Sequence, residues 1–234
     1  MEDFDILYEV MSQIKENHSP QYAPIPLFSF EGLPGAGKTT QIKRVSAELE
    51  KKYGRAYYID LPTKSSIGSL MKELYSDNAK WSVIRKRIPW LNVVAMSTDL
   101  RIAIKNAVTE GANYAVMSRG LLSTYYYNID AYGDEKDENV WGRIDNDMKA
   151  FYVPNAIIFL DIKEEIAHER VVKRNRGALR EMDRIEKMRE DRNRLIGYLN
   201  HINSKSVYFI DASGSEQDVT NRIMECLEGV ISKI

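Results

Sequence analysis

The sequence predicts an α/β protein in which helices cover both faces of a parallel β-sheet. Five short apolar segments are typical of buried strands, and longer amphipathic stretches separate them. Strands that alternate with helices form parallel sheets, because each helix carries the chain back across one face of the sheet. The predicted strands are residues 26–30, 55–60, 113–118, 155–161 and 206–211. Two further observations support this fold class. A phosphate-binding turn follows the first strand, and three of the strands end in polar residues.

The turn after the first strand has the spacing Gly32-x-x-x-x-Gly37-Lys38-Thr39, which is the P-loop pattern. Glycines let successive backbone N–H groups surround a phosphate, Lys38 adds a positive charge, and the following helix directs its positive end at the anion. The Thr39 hydroxyl is suited to bind Mg²⁺. The sequence therefore predicts a bound nucleoside triphosphate with Mg²⁺. The expected contacts are Gly32, Leu33, Pro34, Gly35, Ala36, Gly37, Lys38, Thr39 and Thr40.

Before the first strand, apolar residues at helical spacing predict an amphipathic helix within residues 1–16. These apolar residues are Phe4, Leu7, Val10, Met11 and Ile14. Residues 19–26 contain three prolines and are expected to form a linker. We therefore divide the chain into an N-terminal helix with its linker, residues 1–24, and one P-loop domain, residues 25–234. The helix is expected either to dock on that domain or to bind a partner.

The remaining amphipathic stretches predict helices near residues 38–53, 65–76, 91–110, 120–131, 137–150, 163–175, 182–202 and 215–232. In an open parallel sheet, ligands bind beyond the carboxyl ends of the strands. Three of the predicted strands end in Asp60, Ser118 and Asp161, and the first strand leads into the P-loop. We therefore expect the active site at this end of the sheet.

Composition excludes several functional classes. The 33 Lys and Arg residues nearly cancel the 34 Asp and Glu residues, so no strong net charge attracts the chain to nucleic acid. A lone cysteine, Cys226, excludes an internal disulfide and suits a reducing cytoplasm. No apolar run approaches the ~18 residues of a membrane span, and the acidic start of the chain is unlike a signal peptide. We expect a cytoplasmic protein that does not bind membranes.

A basic stretch follows the fourth predicted strand and is interrupted by Gly177 and Ala178. Its cationic residues are Arg170, Lys173, Arg174, Arg176, Arg180 and Arg184. Guanidinium groups on a closing lid stabilise the negative charge that develops during phosphoryl transfer, so we predict an Arg-rich lid near residues 173–183. Interspersed acidic residues leave a second interpretation open, namely a solvated helix face with surface ion pairs.

The segment from Ser118 to Asn128 begins where the third predicted strand ends. From this position Arg119 is expected to point across the phosphates. Tyr125 to Tyr127 and the Asn128 amide follow on a predicted helix, where they are suited to stack on a nucleobase and to hydrogen-bond it. Partial burial, with the hydroxyl groups at the rim, is the alternative for the tyrosines.

Together these motifs resemble the thymidylate kinases of the P-loop nucleoside monophosphate kinase group. The resemblance spans residues 27–232 and is most specific in the P-loop, Phe30 to Thr40, and in the lid stretch. Other matching segments are Arg119 with Ser123, Tyr127 and Asn128, Leu160-Asp161, Asp183-Arg184-Ile185-Glu186 and Ile210-Asp211-Ala212-Ser213. The resemblance implies a P-loop NTPase three-layer sandwich with a five-stranded parallel sheet, Mg-ATP as the phosphoryl donor and a nucleotide as the acceptor.

The resemblance also implies roles for individual residues. The residues that would act on the moving phosphoryl group are Lys38, Arg119, Arg174 and Arg176. The contacts to ATP outside the loop would be Arg170 and Arg174. The contacts to the acceptor would be Ser123, Tyr127 and Asn128, with Lys64 or Arg101 at its phosphate. A homodimer through the long helix at residues 91–110 is implied too, and that helix has enough apolar positions to allow it, namely Val93, Val94, Ile102, Ile104 and Val108.

The departures from the family pattern lie on the acceptor side. Asp60 occupies the position of an Arg that holds the acceptor phosphate in the family, and Ser118 replaces an Asp that helps to hold Mg²⁺ through water. Pro34 stands where an acidic residue lies near the sugar, and Met96 stands where an Arg reads the base. A carboxylate repels an incoming phosphate, whereas beside a hydroxyl it can accept the proton as a general base. A structural alternative is that Asp60 caps the next turn.

Three functions therefore stay open. The first is a thymidylate-kinase-like reaction, dNMP + ATP to dNDP + ADP. The second is a kinase with Asp60 as general base and a hydroxyl acceptor, on a deoxynucleoside or on a hydroxymethylated pyrimidine, free or within DNA. A DNA acceptor would suit the basic run Arg85-Lys86-Arg87 beside Trp81 and Trp90, although such a run is more often a solvated helix end. The third is a nucleotide-binding protein that has lost catalysis and acts through partners.

Overall fold

The computed structural model of the chain describes residues 3–15, 19, 21–134, 136–174, 179–202 and 206–234. The strands of the main sheet are β2 Leu27–Glu31, β3 Ala56–Asp60, β4 Tyr114–Ser118, β6 Ala156–Asp161 and β7 Val207–Asp211. All five are parallel, in the order β3-β4-β2-β6-β7. The five predicted strands are therefore confirmed to within one residue, and the predicted P-loop NTPase architecture is confirmed with them.

Helices lie on both faces of this sheet. Their bounds are α1 Asp3–Lys15, α2 Lys38–Tyr53, α3 Ser66–Ser76, α4 Asn78–Arg87, α5 Trp90–Thr109, α6 Leu121–Tyr132, α7 Glu138–Met148, α8 Glu164–Lys173, α9 Ile185–Ile202 and α10 Glu216–Ile231. Helices α2 and α10 pack together against one face, while α5 and α6 pack against the other. Within the described ranges, no helix combines the length and the apolar character needed to cross a membrane.

The order of the strands determines where a ligand can bind. Every residue of β2 and β4 is buried, whereas the edge strands expose Tyr58 and Phe209. From the central strand β2 the chain passes first to β3 and β4 on one side and later to β6 and β7 on the other. The loops that leave the carboxyl ends of neighbouring strands diverge at such a switch point and open a crevice. The P-loop lies at this crevice.

Three local features differ from the prediction. Helix α4 was not predicted, because it has no buried residue and so lacks the apolar periodicity that marks the other helices. The expected linker contains a short strand, β1 Gln21–Tyr22, which pairs in parallel with β5 Tyr152–Val153. The helix expected over 182–202 is preceded by a 3₁₀ turn, Glu181–Asp183, and starts at Ile185.

Arg101 joins the N-terminal helix to the rest of the fold. Its side chain is only 3% exposed, and its guanidinium donates to Glu9 Oε1 (3.1 Å) on α1 and to the Ala150 carbonyl oxygen (3.1 Å). The guanidinium also lies 4.2 Å from the centre of the Tyr152 ring. Arg101 was expected at the acceptor phosphate, and that expectation is corrected here, because its charge is already bound by α1 and β5.

The apolar positions of α5 contact their own chain. Val93, Val94, Ile102 and Ile104 are buried, and Val108 alone among the five named positions is exposed, at 44%. Part of this cover comes from α1, where Val10 packs with Val94 and Ala150. Contacts within one chain account for the burial of these positions, so they give no support to the expected homodimer, which stays a prediction.

Replacing Arg101 with Ala should lower the free energy of unfolding by about 2–4 kcal/mol, because it leaves the Ala150 carbonyl oxygen and Glu9 without their buried partner. Denaturant unfolding followed by circular dichroism measures this. Arg55→Ala is the matched control. Arg55 also binds a carboxylate and a carbonyl oxygen, both of Glu110, but it is half exposed, so its loss should cost less than about 1 kcal/mol. Equal costs for the two variants would contradict the role given to Arg101.

Candidate active site

The P-loop of this chain is closed around Lys38. The Lys38 Nζ atom donates to the carbonyl oxygens of Gly32 (2.7 Å) and Leu33 (2.9 Å). The turn requires Gly35, which has a φ of 84° and lies so close to α8 that a Cβ would sit 2.2 Å from the Ala167 carbonyl oxygen. Gly37, with a φ of 96°, then begins α2. The loop thus presents the positive end of a helix together with a fixed ammonium group.

The electrostatics around Lys38 favour a bound anion. Burial, opposed by the Glu31 carboxylate and assisted by the positive charges of Arg119 and Arg174, lowers the pKa of Lys38 to about 8. The charges of Arg119 and Arg174 therefore reach the Lys38 ammonium group, and one carboxylate, Glu31, partly offsets them. A polyanion bound there would relieve this repulsion and restore the ordinary basicity of the lysine.

Two adjoining cavities open from the P-loop, and both are lined by Gly37 and Arg174. The smaller has a volume of about 310 Å³, and the larger one of about 590 Å³. Predicted site residues at the smaller cavity are Ala36, Gly37, Thr40, Arg170 and Arg174. Predicted site residues at the larger cavity are Gly32, Pro34, Gly35, Gly37, Lys38, Thr39, Asp60, Arg119, Ser123, Tyr127 and Arg174. The structure therefore brings most of the predicted residues to one two-part cleft.

The smaller cavity is lined by one planar cationic group, the guanidinium of Arg170, among other residues. Arg170 Nη1 donates to the Ala212 carbonyl oxygen (3.1 Å), which fixes the planar guanidinium at the cavity wall. The amide of Gln41 is already satisfied, because it donates to the Glu216 carbonyl oxygen and accepts from the Thr220 hydroxyl. A planar cation such as Arg170 can stack on an aromatic ring.

Arg119 reaches the larger cavity through a strained turn between β4 and α6. It is the only non-glycine residue in the described part of the chain with a positive φ, at 65°. A Cβ on the next residue, Gly120, would lie 2.2 Å from the Met117 methyl carbon, so the buried Met117 side chain would have to move. Strain of this kind persists where the surrounding structure imposes it, and it is concentrated at functional sites.

Glu31 holds this turn, a role that was not predicted from the sequence. Its carboxylate accepts hydrogen bonds from the Gly120 backbone N–H (2.8 Å) and the Ser123 hydroxyl (2.6 Å), so it caps the start of α6 from the end of β2. Burial raises the pKa of Glu31, and these hydrogen bonds and the charge of Lys38 oppose that rise. The sequence did carry a signal, an acidic residue ending an otherwise apolar strand.

Asp60 faces the larger cavity with its carboxylate available. No hydrogen bond to it is made by the residues that the structure describes, and it lies near Tyr58 and Ser118 on the same wall. The expected alternative, that Asp60 caps the next turn, is wrong. Ser65 caps α3 by accepting from the Gly68 N–H (2.9 Å), and the buried Asp99 binds the backbone N–H of Thr63 (2.6 Å).

Besides Arg101, three predicted site residues that the structure describes line neither cavity, namely Leu33 of the P-loop, Lys64 and Asn128. Asn128 is fully buried, and its Nδ2 donates to the Thr124 carbonyl oxygen one turn earlier on α6, which corrects the expected contact to a base. Lys64 is exposed on the loop after β3 and contributes to neither cavity wall. Arg176 lies outside the described residues, as do the other residues of the lid segment 175–178.

The basic run on α4 is partly neutralised. Arg85 forms a bidentate pair with Asp130 (2.6 Å at both oxygens) and donates to the Tyr127 carbonyl oxygen. The Trp81 ring packs edge-to-face on Tyr75 at 5.0 Å between centres. Two of the groups suggested for a DNA acceptor are therefore engaged in holding α4 against its neighbours.

The residues of the larger cavity fit a magnesium ion that is shared with phosphates. Thr39, Ser118 and Asp60 all supply oxygen atoms to this cavity, and oxygen is the ligand that Mg²⁺ prefers. Among the described residues, no group of three or more His, Cys, Asp and Glu side chains could hold a metal alone. Mg²⁺ usually keeps several waters and binds through few protein ligands plus substrate phosphates, which this arrangement allows.

Comparison with known proteins agrees with this geometry. The family model described as "Thymidylate kinase" matches residues 30–223. A thymidylate kinase of Pelotomaculum thermopropionicum is 27% identical over 210 residues, which is 86% of this chain and 92% of that protein. One of Legionella pneumophila is 27% identical over 209 residues, 88% of this chain and 95% of that protein. A probable thymidylate kinase of Sulfurisphaera tokodaii is 32% identical over 145 residues, 62% of this chain and 68% of that protein.

Replacing Arg119 with Gly should give a more stable protein than replacing it with Ala, by about 0.5–1 kcal/mol, because glycine adopts a positive φ without Cβ strain. Paired denaturant titrations of the two variants measure the difference. The control pair is Lys72→Gly and Lys72→Ala in the middle of α3, on an exposed position. There the order should reverse, with Gly less stable by about 1 kcal/mol. The same order at both positions would show that residue 119 is not strained.

Proposed function

Because the chain belongs to the thymidylate kinase family, we propose that it transfers the γ-phosphoryl group of ATP to a deoxynucleoside monophosphate, forming the deoxynucleoside diphosphate and ADP. The observation that carries this proposal is the two-part cleft, in which two cavities meet at Gly37 and Arg174 beside the buried Lys38. A donor in one cavity and an acceptor in the other would have their phosphates side by side at this junction.

The donor is assigned to the P-loop and the smaller cavity. The loop amides and Lys38 bind the phosphates of ATP, Thr39 binds Mg²⁺, and Arg170 stacks on the base. Magnesium, when bound, would supply positive charge that neutralises the phosphates. The protein's own contribution is to hold the triphosphate in one position, with the reacting phosphorus at the mouth of the larger cavity.

Transfer depends on positioning and on positive charge. Arg119 and Arg174 line the larger cavity beside Lys38, so they can stabilise the charge that spreads over the phosphoryl group as it moves. Arg176 remains a prediction of the same kind. The acceptor is assigned to the far part of the larger cavity, where Ser123 and Tyr127 line the wall.

A second candidate acceptor is favoured by one observation, the carboxylate of Asp60. It faces the larger cavity without a hydrogen-bond partner among the described residues, as a general base would. In this reading the acceptor is a hydroxyl group of a deoxynucleoside or of a hydroxymethylated pyrimidine. Asp60 would accept the hydroxyl proton as the oxygen attacks the γ-phosphorus, and ADP would leave.

The proposal includes the setting of the enzyme. The lone cysteine supports a reducing cytoplasm. Residues 25–234 are proposed as the kinase domain. Residues 1–24 are proposed as an N-terminal extension, and its helix α1 packs on α5. The third possibility, a nucleotide-binding protein without catalytic activity, would be detected by the assays below.

The activity itself is tested by measuring ADP formation from Mg-ATP with each of dTMP, dUMP, dCMP, dAMP and dGMP, and with the matching nucleosides. We expect one or more of the monophosphates to raise ADP formation well above the rate without acceptor. Lys38→Ala should lower that rate by about 10²-fold or more, because a charge opposite the developing phosphate is lost. Binding of ATP without transfer to any acceptor would show that catalysis has been lost.

Replacing Asp60 with Asn separates the two acceptors. If the acceptor is a hydroxyl group, turnover should fall by about 10²-fold or more, because the general base is gone. If it is a phosphate, the KM for dTMP should fall, because a repelling charge is removed. Steady-state kinetics with dTMP and with thymidine distinguish these results. Glu165→Gln on the exposed side of α8, outside both cavities, is the control and should change neither constant.

The affinity for ATP should fall as the pH rises above about 8, since ATP binds the protonated form of Lys38. Below pH 8 the ammonium group is already charged, so binding takes up no proton. Above it the dissociation constant should rise by about tenfold per pH unit, with uptake of one proton. Calorimetric titrations from pH 7.5 to 9.5 measure both. Lys38→Arg keeps its charge at every such pH, and a slope equal to that of the wild type would contradict the assignment.

A further inference from the structure

The larger cavity has an uneven distribution of charge. Asp60 lies on the wall formed by β3, beside Tyr58, and makes that part acidic. Arg119 and Arg180 line the same cavity, and the charges of both reach Tyr127, where they oppose the rise in its pKa that burial causes. An anionic group entering this cavity would therefore be repelled on the β3 side and attracted on the side of Tyr127.

Arg180 is held in one orientation by a buried carboxylate. Its Nε and Nη2 atoms donate to the two oxygens of Asp183, each at 3.0 Å, and its backbone N–H donates to the same carboxylate at 3.0 Å. The Asp183 side chain is 4% exposed, whereas that of Arg180 is 63% exposed. A guanidinium has five N–H donors in a rigid plane, so one edge can be fixed while the other stays available.

Asp183 is itself held in place by α8. It ends the 3₁₀ turn Glu181–Asp183, and its carbonyl oxygen accepts a hydrogen bond from His168 Nδ1 (2.6 Å) on α8. Nothing else among the described residues bonds the Nη1 atom of Arg180, which belongs to a residue of the cavity wall. The side chain is therefore oriented before any ligand binds, which lowers the entropy cost of binding one.

We propose that Arg180, oriented by Asp183, binds the phosphate of the acceptor nucleotide in the larger cavity. This rests on the function proposed above, and it names the group that attracts the acceptor phosphate in a cavity whose opposite wall carries Asp60. Arg180 lines the larger cavity and not the smaller one, whereas Arg174 lines both cavities and is placed to contact the donor. Asp183 is a positioning residue, because it acts through Arg180.

The test measures binding by isothermal titration calorimetry, for each deoxynucleoside 5′-monophosphate, its nucleoside and ATP. The wild-type protein should bind the best monophosphate at least about tenfold more tightly than its nucleoside. Arg180→Ala should weaken the monophosphate by about tenfold, the loss of one charge-assisted contact, and leave nucleoside and ATP within about twofold. Asp183→Asn should weaken the monophosphate less, because the arginine keeps its charge and loses its orientation.

The matched control is Arg189→Ala. Arg189 is a similarly exposed arginine, 55% exposed, paired with Glu164 and Glu165 and outside both cavities, so its loss should change no affinity. Three results would overturn the proposal: an unchanged monophosphate affinity in Arg180→Ala, an equal loss for the nucleoside, or a wild type that does not prefer the monophosphate.

The proposed function can fail separately from this inference. Each binding titration contains one ligand only, so no phosphoryl transfer takes place in it. If Arg180 binds the monophosphate but the activity assay shows no diphosphate, the proposed activity alone is refuted. Normal transfer with an unchanged KM in Arg180→Ala would refute the role of Arg180 alone. Thermal unfolding of each variant shows that the compared proteins are folded.

Discussion

The buried carboxylate of Glu31 connects the two halves of the cleft. It ends the central strand β2, directly before the P-loop, and it caps α6, which carries Ser123 and Tyr127. It also offsets part of the positive charge around Lys38. A charge this deeply buried is tolerated only when its hydrogen bonds are satisfied, so β2 and the start of α6 must keep one relative position. The P-loop and helix α6 are thereby held in register by one side chain.

The sheet and the donor loop could be predicted from sequence because their signals are local. Apolar strands alternate with helices, and the glycines of the loop stand at a fixed spacing that only one backbone shape satisfies. Helix α4 was missed because it buries none of its residues, so it has no apolar period. Asn128 and Arg101 were assigned from the family pattern, and the structure turned both inward for reasons that a pattern does not contain. Arg101 meets Glu9 from a segment before the region that the family match covers.

The N-terminal segment is packed against the rest of the fold. Helix α1 covers α5, and β1 adds a strand to β5, so the segment makes contacts at two separate places. Both places converge on Arg101, whose guanidinium lies over the Tyr152 ring of β5 while it binds Glu9 of α1. A long helix that would otherwise show apolar side chains to solvent is thus covered by the same chain.

The meeting of two cavities at Gly37 and Arg174 has a consequence for inhibition. A single compound that joins two nucleosides through a run of phosphates could occupy both cavities at once. Joining the ends turns the second contact into an intramolecular event, so affinity depends on the length of the bridge as well as on each end. A bridge that is too short would leave one nucleoside outside its cavity, and one that is too long would forfeit the gain. The best length would therefore serve as a molecular ruler for the gap between donor and acceptor.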